Sequence, residues 1–148
     1  MKIRTPSAVA CALGLALLAG CATGPAFVAP QPAALESVVV LYRPFALHGA
    51  AVTRRVQFGG LPAGELRNAS YLNLIYRGKG AALGLAVSGC KPSLELLMMP
   101  GRITYVRAET VPTMLMLGGK AYADHRCVLG TRDAAEAMVE ASGLRRSE

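Results

Sequence analysis

The sequence is poor in the residues on which most enzymes and nucleic-acid-binding proteins rely. Its 148 residues include no tryptophan, two histidines and nine carboxylates, and charged residues make up 17% of the chain. Acid–base catalysis needs such groups within reach of one another, and no HExxH, CxxC or GxSxG motif is present. The basic residues are scattered along the chain, and the chain has no tryptophan, which is unlike a nucleic-acid-binding surface. We therefore expect no catalytic site, no metal site, no cofactor and no nucleic-acid partner.

The apolar run near the start is too short for a transmembrane helix. Ala8–Ala19 has twelve residues, whereas a helix needs about 20 apolar residues to cross a bilayer. A short basic segment, Met1–Arg4, precedes the run, and small residues end it. A basic start, a short apolar run and a small-residue end are typical of an export signal. We therefore expect residues 1–20 to be a signal peptide.

The signal ends in Leu18-Ala19-Gly20-Cys21, which resembles the lipobox of bacterial lipoproteins at every position. In that family the cysteine thiol is joined to a diacylglyceryl group, the chain is cut just before it, and the new amino group is acylated. The resemblance implies that Cys21 is lipidated; an ordinary signal with a chance cysteine is the alternative. Residue 22 is alanine rather than the aspartate that retains Gram-negative lipoproteins at the inner membrane. This implies an anchor in the outer membrane, facing the periplasm.

A proline- and alanine-rich stretch follows the lipobox. Residues 22–34 read ATGPAFVAPQPAA and carry no charge. Prolines favour extended, semi-rigid conformations, so we expect residues 21–35 to form a lipidated tether that holds the domain off the membrane. A first strand broken by prolines is the alternative. Loss of Lys2 and Arg4 with the signal lowers the net charge from +7 to +5, which suits phosphate-bearing headgroups or is simply a solvated basic face.

Residues 36–148 have the pattern of a mainly β domain. Short segments rich in β-branched and aromatic residues are separated by turn signals such as Gly59-Gly60 and Gly118-Gly119. The pattern predicts a small antiparallel β-sandwich or barrel-like domain with one C-terminal helix at residues 132–142, capped by Thr131. The predicted strands are Ser37–Arg43, Arg55–Phe58, Tyr71–Tyr76, Ala82–Val87, Ser93–Met99, Arg102–Ala108, Thr113–Leu117 and Lys120–Cys127.

Three segments of this domain resemble one family of bacterial envelope proteins. They are Leu41–Pro44 (LYRP), residues 56–74 (VQFGGLPAGELRNASYLNL) and Pro100–Arg107 (PGRITYVR). The family comprises small bacterial lipoproteins and envelope proteins that carry an uncharacterised β-sandwich domain. Where its members usually have a Pro-Gly turn, this chain has Arg77-Gly78-Lys79-Gly80. The resemblance implies the fold and the envelope location but no reaction, because none is established for the family.

The four cysteines are expected to have different fates during export. Cys11 leaves with the signal and Cys21 is lipidated, so Cys90 and Cys127 remain in an oxidising space. Two such cysteines in an exported domain more often pair than serve as free thiols, so we expect a disulfide. The alternative is a reactive thiol at Cys127, because His125 lies two residues before it and shares its face of a strand.

The sequence also suggests roles for a group of arginines and a group of methionines. Arg54, Arg55 and Arg67 are candidates for a binding site and for a basic strand edge that discourages aggregation. The methionines at strand positions are expected to fill the core, since thioether side chains adapt to irregular gaps. They are Met98, Met99, Met114 and Met116.

These features predict a membrane-anchored binding or scaffold module without catalytic activity, with an envelope protein as partner. Two alternatives from other classes are a periplasmic enzyme and a carrier of a small apolar ligand. An enzyme needs polar residues that converge in a pocket. A carrier needs an internal cavity, for which the candidate lining is Leu83, Leu85, Met114 and Met116.

Overall fold

The computed structural model describes residues 23–147, so the predicted signal and Cys21 lie outside the described residues. The described chain forms two β-sheets and one helix, as the sequence predicts. None of its helices is long and apolar enough to cross a membrane. The strands are β1 Glu36–Arg43, β2 Arg54–Phe58, β3 Leu61–Leu66, β4 Ser70–Arg77, β5 Ala81–Val87, β6 Cys90–Lys91, β7 Leu94–Met98, β8 Ile103–Leu117, β9 Lys120–Arg132 and β10 Arg145–Arg146, and the helix is α1 Ala134–Ala141.

Strand β1 lies near the middle of the larger sheet, whose strand order is β10-β4-β1-β8-β9-β6. It pairs antiparallel with β4 and parallel with β8. Both of its faces are buried, because the second sheet packs on one side and α1 on the other. This explains the continuous apolar run Val38–Tyr42, since a strand covered on both faces does not alternate.

The smaller sheet has the strand order β3-β2-β5-β7. Its inward residues, such as Val56 and Leu85, pack against Leu41 and Val106 of the larger sheet and form the main core. A second core lies under α1, where Ala137 and Ala141 contact the other face of the larger sheet. Small residues on the helix allow this close approach.

Most predicted elements are present, with several corrections. The larger sheet is mixed rather than antiparallel, because β1 pairs parallel with β8, and the short strands β6 and β10 were not predicted. Strand β3 was not expected, because Pro62 and Gly64 interrupt its pattern; it is paired only on one side, where proline is tolerated. The two strands predicted at 102–108 and 113–117 are one continuous strand, β8. The helix is capped by Asp133, whose side chain accepts a hydrogen bond from the backbone N–H of Ala135, and not by Thr131.

Strands β8 and β9 form a long hairpin that extends beyond the rest of the sheet. Strand β1 pairs with β8 only as far as Arg107, and β6 pairs with β9 from Cys127 onward. Among the described residues, the strand segments 108–117 and 120–126 therefore pair only with each other. We call residues 108–126 the ribbon. The ten residues of β8 that follow Arg107 (residues 108–117) give the ribbon a length of about 33 Å.

The first described residues lie against the domain. Ala26 forms a bridge with Arg145, and the backbone N–H of Arg146 donates to the carbonyl oxygen of Pro25 at 2.8 Å. The ring of Phe27 meets that of Tyr71 edge-on, with centroids 5.1 Å apart. A Cβ at Gly24 would clash with the carbonyl oxygen of Arg146, so this approach requires glycine. Part of the stretch predicted as a tether thus lies on the domain instead of spanning a gap to it.

Candidate functional site

The tip of the ribbon, residues 114–122, exposes apolar side chains on both of its faces. Met114 and Met116 lie on one face, 70% and 64% exposed, opposite Ala123 and Ala121. Leu115 and Leu117 are exposed on the other face, and Leu115 pairs with Tyr122. Lys120 is the only charged residue between Thr113 and Ala123. An isolated two-stranded ribbon is only marginally stable in water, and exposed apolar patches are typical of interaction sites.

The expectation that the methionines fill the core is correct only for Met98. Met98 is buried between the sheets, whereas Met99, Met114 and Met116 are exposed. Met114 and Met116 are exposed because the ribbon leaves the sheet before it reaches them, so no second sheet covers either face. Alternation of apolar residues on a strand does not distinguish a face that packs on a core from a face that meets an external partner.

A loop at the base of the ribbon, residues 44–53, is held by a buried arginine. The guanidinium of Arg43 donates to the carbonyl oxygens of Val52 at 2.6 Å and Gly49 at 2.7 Å. Burial, together with the neighbouring charge of Arg54, lowers the pKa of Arg43. The side-chain amide of Asn68 fixes the start of the loop, because it accepts from the N–H of Ala46 and donates to its carbonyl oxygen.

This loop also exposes large apolar side chains. Phe45 and Leu47 are exposed, Leu47 by 84%. Residues of the loop and of β8 line a small cleft of about 130 Å³, including Arg43, Phe45 and Arg107. The loop and the base of the ribbon are therefore neighbours, and both present apolar residues to the surroundings.

The two histidines meet where this loop contacts the ribbon. The rings of His48 and His125 are stacked, with centroids 3.4 Å apart and planes inclined by 17°. Ring lone pairs lie in the ring planes, so stacked rings do not direct two nitrogens at one ion. Within residues 23–147 there is no group of three or more histidine, cysteine, aspartate or glutamate side chains that could hold a metal.

A network of charged groups joins the larger sheet to α1, and the sequence analysis did not foresee it. The hydroxyl of Tyr42 donates to Oε2 of Glu140, and Arg107 pairs with the other oxygen of that carboxylate at 3.1 Å. Glu109 bridges Arg107 and Arg132 at 3.2 and 3.3 Å. Every carboxylate of the network has an arginine partner, which indicates a structural role. Only Arg107 and Glu109 are close in sequence, and Tyr42, Arg132 and Glu140 come from other elements, so no local pattern predicts the whole network.

The three candidate binding arginines lie in different surroundings. Arg54 donates to the carbonyl oxygen of Ser88, and burial lowers its pKa. Arg55 is exposed and lies opposite Glu65 on β3. Arg67 follows β3 and is partly buried. Strand β3 pairs with β2 on its outer side, so Arg54 and Arg55 lie on an inner strand of the smaller sheet. The expectation that they form a basic strand edge is therefore wrong. Their role in binding stays a prediction.

A shallow groove crosses the smaller sheet near Arg55. Its volume is about 570 Å³, and its lining includes Arg55, Gln57, Glu65, Ala86 and Ser88. Strand β5 contributes little more than backbone to this surface, because its outward residues are alanine and glycine. The groove is open and mixed in polarity, so it suits an extended chain better than a small enclosed ligand.

Cys90 and Cys127 form the expected disulfide, which fastens β6 to β9 directly below the ribbon. The bond occupies the thiol that a reactive Cys127 would need. The residues proposed as a ligand cavity are separated, since Leu85 is buried in the core whereas Met114 and Met116 are exposed on the ribbon.

Comparisons with family models, with curated proteins and with solved structures find no match to this chain.

Proposed function

We propose that the chain is a lipid-anchored envelope lipoprotein whose β domain is a binding module rather than an enzyme. The observation that carries the proposal is the ribbon. It presents apolar side chains on both faces, and within residues 23–147 its two strand edges have no further strand partner. A surface of this kind is costly to leave in water and is typical of an interaction site. Strand edges also accept the backbone of another chain.

A lipid anchor at Cys21 would strengthen binding by the ribbon, because it keeps the domain close to other envelope components. Cys21 would carry acyl chains, and three chains together hold a protein at a membrane far more firmly than one. An anchored domain meets other envelope components at a raised effective concentration, so a weak surface suffices for binding. The lipobox resemblance and the short chain between Cys21 and Gly24 are the support for this part.

A crosslinking experiment in intact cells tests the binding module. A photo-reactive residue would replace Leu115 in the ribbon or Arg55 in the groove, with Val139 on α1 as an exposed control position. We expect discrete adducts from Leu115 or Arg55 and none from Val139. Charge reversal at Arg54 and Arg67 is expected to reduce any adduct formed from position 55, and reversal at Arg54, Arg55 and Arg67 together is expected to weaken recovery of the partner.

The opposite result would favour an enzyme. It would combine equal, diffuse labelling at all three positions with loss of the cellular role in a folded variant that carries His48→Ala and His125→Ala. The two histidines are the test residues because they are the chain's most versatile acid–base groups.

A further inference from the structure

We propose that the apolar end of the domain rests on the lipid surface of the membrane, at the boundary between headgroups and acyl chains. The apolar end consists of Phe45, Leu47, Met114–Leu117 and Tyr122. This deepens the proposed function by naming a lipid surface as what the ribbon binds. It rests on the proposed function only for the anchor at Cys21.

Strand register places Ala26, the start of the loop and the base of the ribbon on one row across the sheet. Ala26 bridges to Arg145, which pairs with Ser70, and Ser70 pairs with Arg43. One row across the sheet therefore runs from the first described segment to the end of β1. The loop begins at the next residue, and β8 continues as the ribbon just past this row.

The link between the docked segment and a lipid anchor at Cys21 is short. Gly24 is already docked on Arg146, and it comes three positions after Cys21. Three residues span at most about 10 Å. A lipidated Cys21 would therefore hold the docked segment close to the headgroups. This segment runs antiparallel to β10, so Gly24 lies on one side of the row that ends at Arg43, and the tip of the ribbon lies about 33 Å beyond the other side. The tip reaches the same membrane surface when the ribbon lies along that surface.

The two-sided apolar tip fits lipid better than a protein groove. A groove on a partner covers one face of a ribbon, whereas acyl chains contact every side chain that enters them. The open strand edges limit the depth, because backbone groups without partners are not tolerated in the hydrocarbon core. The tip is therefore expected to lie obliquely at the interface, where water and headgroups still reach its edges.

The polar residues near the ribbon tip and near the docked N-terminal segment are of the kinds found at the boundary between headgroups and acyl chains. Lys120 and Tyr122 follow the turn, and such side chains place an apolar stem in the acyl region and a polar end among headgroups. Arg145 and Arg146 are exposed beside the docked N-terminal segment. Basic residues close to a membrane surface are attracted to anionic lipids.

Vesicle binding by chain that lacks the anchor tests the proposal. The mature chain from residue 21 with Cys21→Ser would be sedimented with vesicles of phosphatidylethanolamine and phosphatidylglycerol, and with phosphatidylcholine vesicles to isolate the headgroup charge. The test variant carries Met114→Ser and Met116→Ser. The control is Leu97→Ser, because Leu97 is 67% exposed, as the two methionines are, but lies on β7 away from the ribbon.

We expect the unlipidated wild-type chain to bind the mixed vesicles, and more weakly the phosphatidylcholine vesicles. The double serine variant should bind about tenfold less, and the control should bind as the wild type does. Equal melting temperatures of the three proteins would show that folding is preserved. No binding by the wild type, or equal binding by both variants, would overturn the proposal. A dimer dissolved by the serine variant in the absence of vesicle binding would assign the ribbon to a second copy of the chain.

A depth measurement on the lipidated full chain gives a second readout. An environment-sensitive fluorophore would be attached at Met116→Cys or, as control, at Val139→Cys, and quenched by a nitroxide on the lipid. We expect strong quenching at position 116 and little at position 139; equal quenching at both would contradict the proposal. An unmodified Cys21 would refute the anchor, while the vesicle result with unlipidated chain would stand independently.

Discussion

The hydroxyl of Tyr42 donates a 2.6 Å hydrogen bond to Oε2 of Glu140 and so joins the middle of the larger sheet to the helix. Burial of the phenol and this hydrogen bond to a carboxylate raise the pKa of Tyr42 well above its ordinary value. The folded protein therefore holds the proton more tightly than the unfolded chain does. The stability that this provides is complete below the unfolded pKa of about 10 and is lost as the pH rises above it.

The variant Tyr42→Phe tests this linkage. At neutral pH it should lose about 1 kcal/mol of unfolding free energy, because one hydrogen bond disappears while Arg107 still pairs with Glu140. Above pH 10 its stability should fall less steeply than that of the wild type in urea titrations. Tyr122→Phe, at an exposed site on the ribbon, is the control. An identical alkaline slope in wild type and Tyr42→Phe would contradict the assignment.

The variant Arg43→Met is expected to be strongly destabilised. It removes the donors to the carbonyl oxygens of Gly49 and Val52, which a side chain of similar length without hydrogen-bond donors cannot replace. We expect a loss of about 3 kcal/mol in unfolding free energy, together with faster proteolysis within residues 44–53. The matched change Arg55→Met on the exposed face should cost less than about 0.5 kcal/mol. Similar losses in the two variants would show that Arg43 does not hold the loop.

Reduction of the Cys90–Cys127 disulfide should lower the melting temperature. The bond closes a sequence separation of 37 residues, for which loop-closure entropy gives a stabilisation of about 4 kcal/mol at most. The double variant Cys90→Ala and Cys127→Ala should melt at the temperature of the reduced wild type and should not respond to reductant. Alkylation of both cysteines in the native, unreduced protein would refute the pairing.

The sequence predicts the elements that local chemistry controls. The β-branched and aromatic run Ser37–Arg43 predicts strand β1, and glycine pairs mark the hairpin turns. The two cysteines that follow the predicted signal and lipobox form the predicted disulfide. Strand β3 was missed because proline and glycine hide a strand that has a free side.

The candidate site was less predictable, because its properties depend on contacts between distant segments. Met114 and Met116 have a core-like pattern, and only the departure of the ribbon from the sheet exposes them. Arg43 ends a strand, where a surface position is ordinary, and it is buried because residues 49 and 52 fold back over it. Such effects follow from the tertiary arrangement and leave no local signal.

Zinc should not stabilise the domain through its two histidines. His48 and His125 stack face to face, and no third ligand accompanies them within residues 23–147. A ligand that binds only the folded state stabilises it by RT ln(1 + [L]/Kd) and so raises the melting temperature. We therefore expect the same melting temperature with and without excess zinc. A rise that disappears in the variant His48→Ala and His125→Ala would instead identify a metal site.

The mass of the mature protein, extracted from membranes with detergent, tests the central claim most directly. The lipoprotein account predicts a chain that begins at Cys21, with a diacylglyceryl group on its sulfur and an acyl group on its amino nitrogen. The variant Cys21→Ser should lack both groups, so that any membrane binding it keeps is the weaker, reversible contact of the ribbon. A wild-type chain that begins elsewhere, or that begins at Cys21 without lipid, would contradict the account.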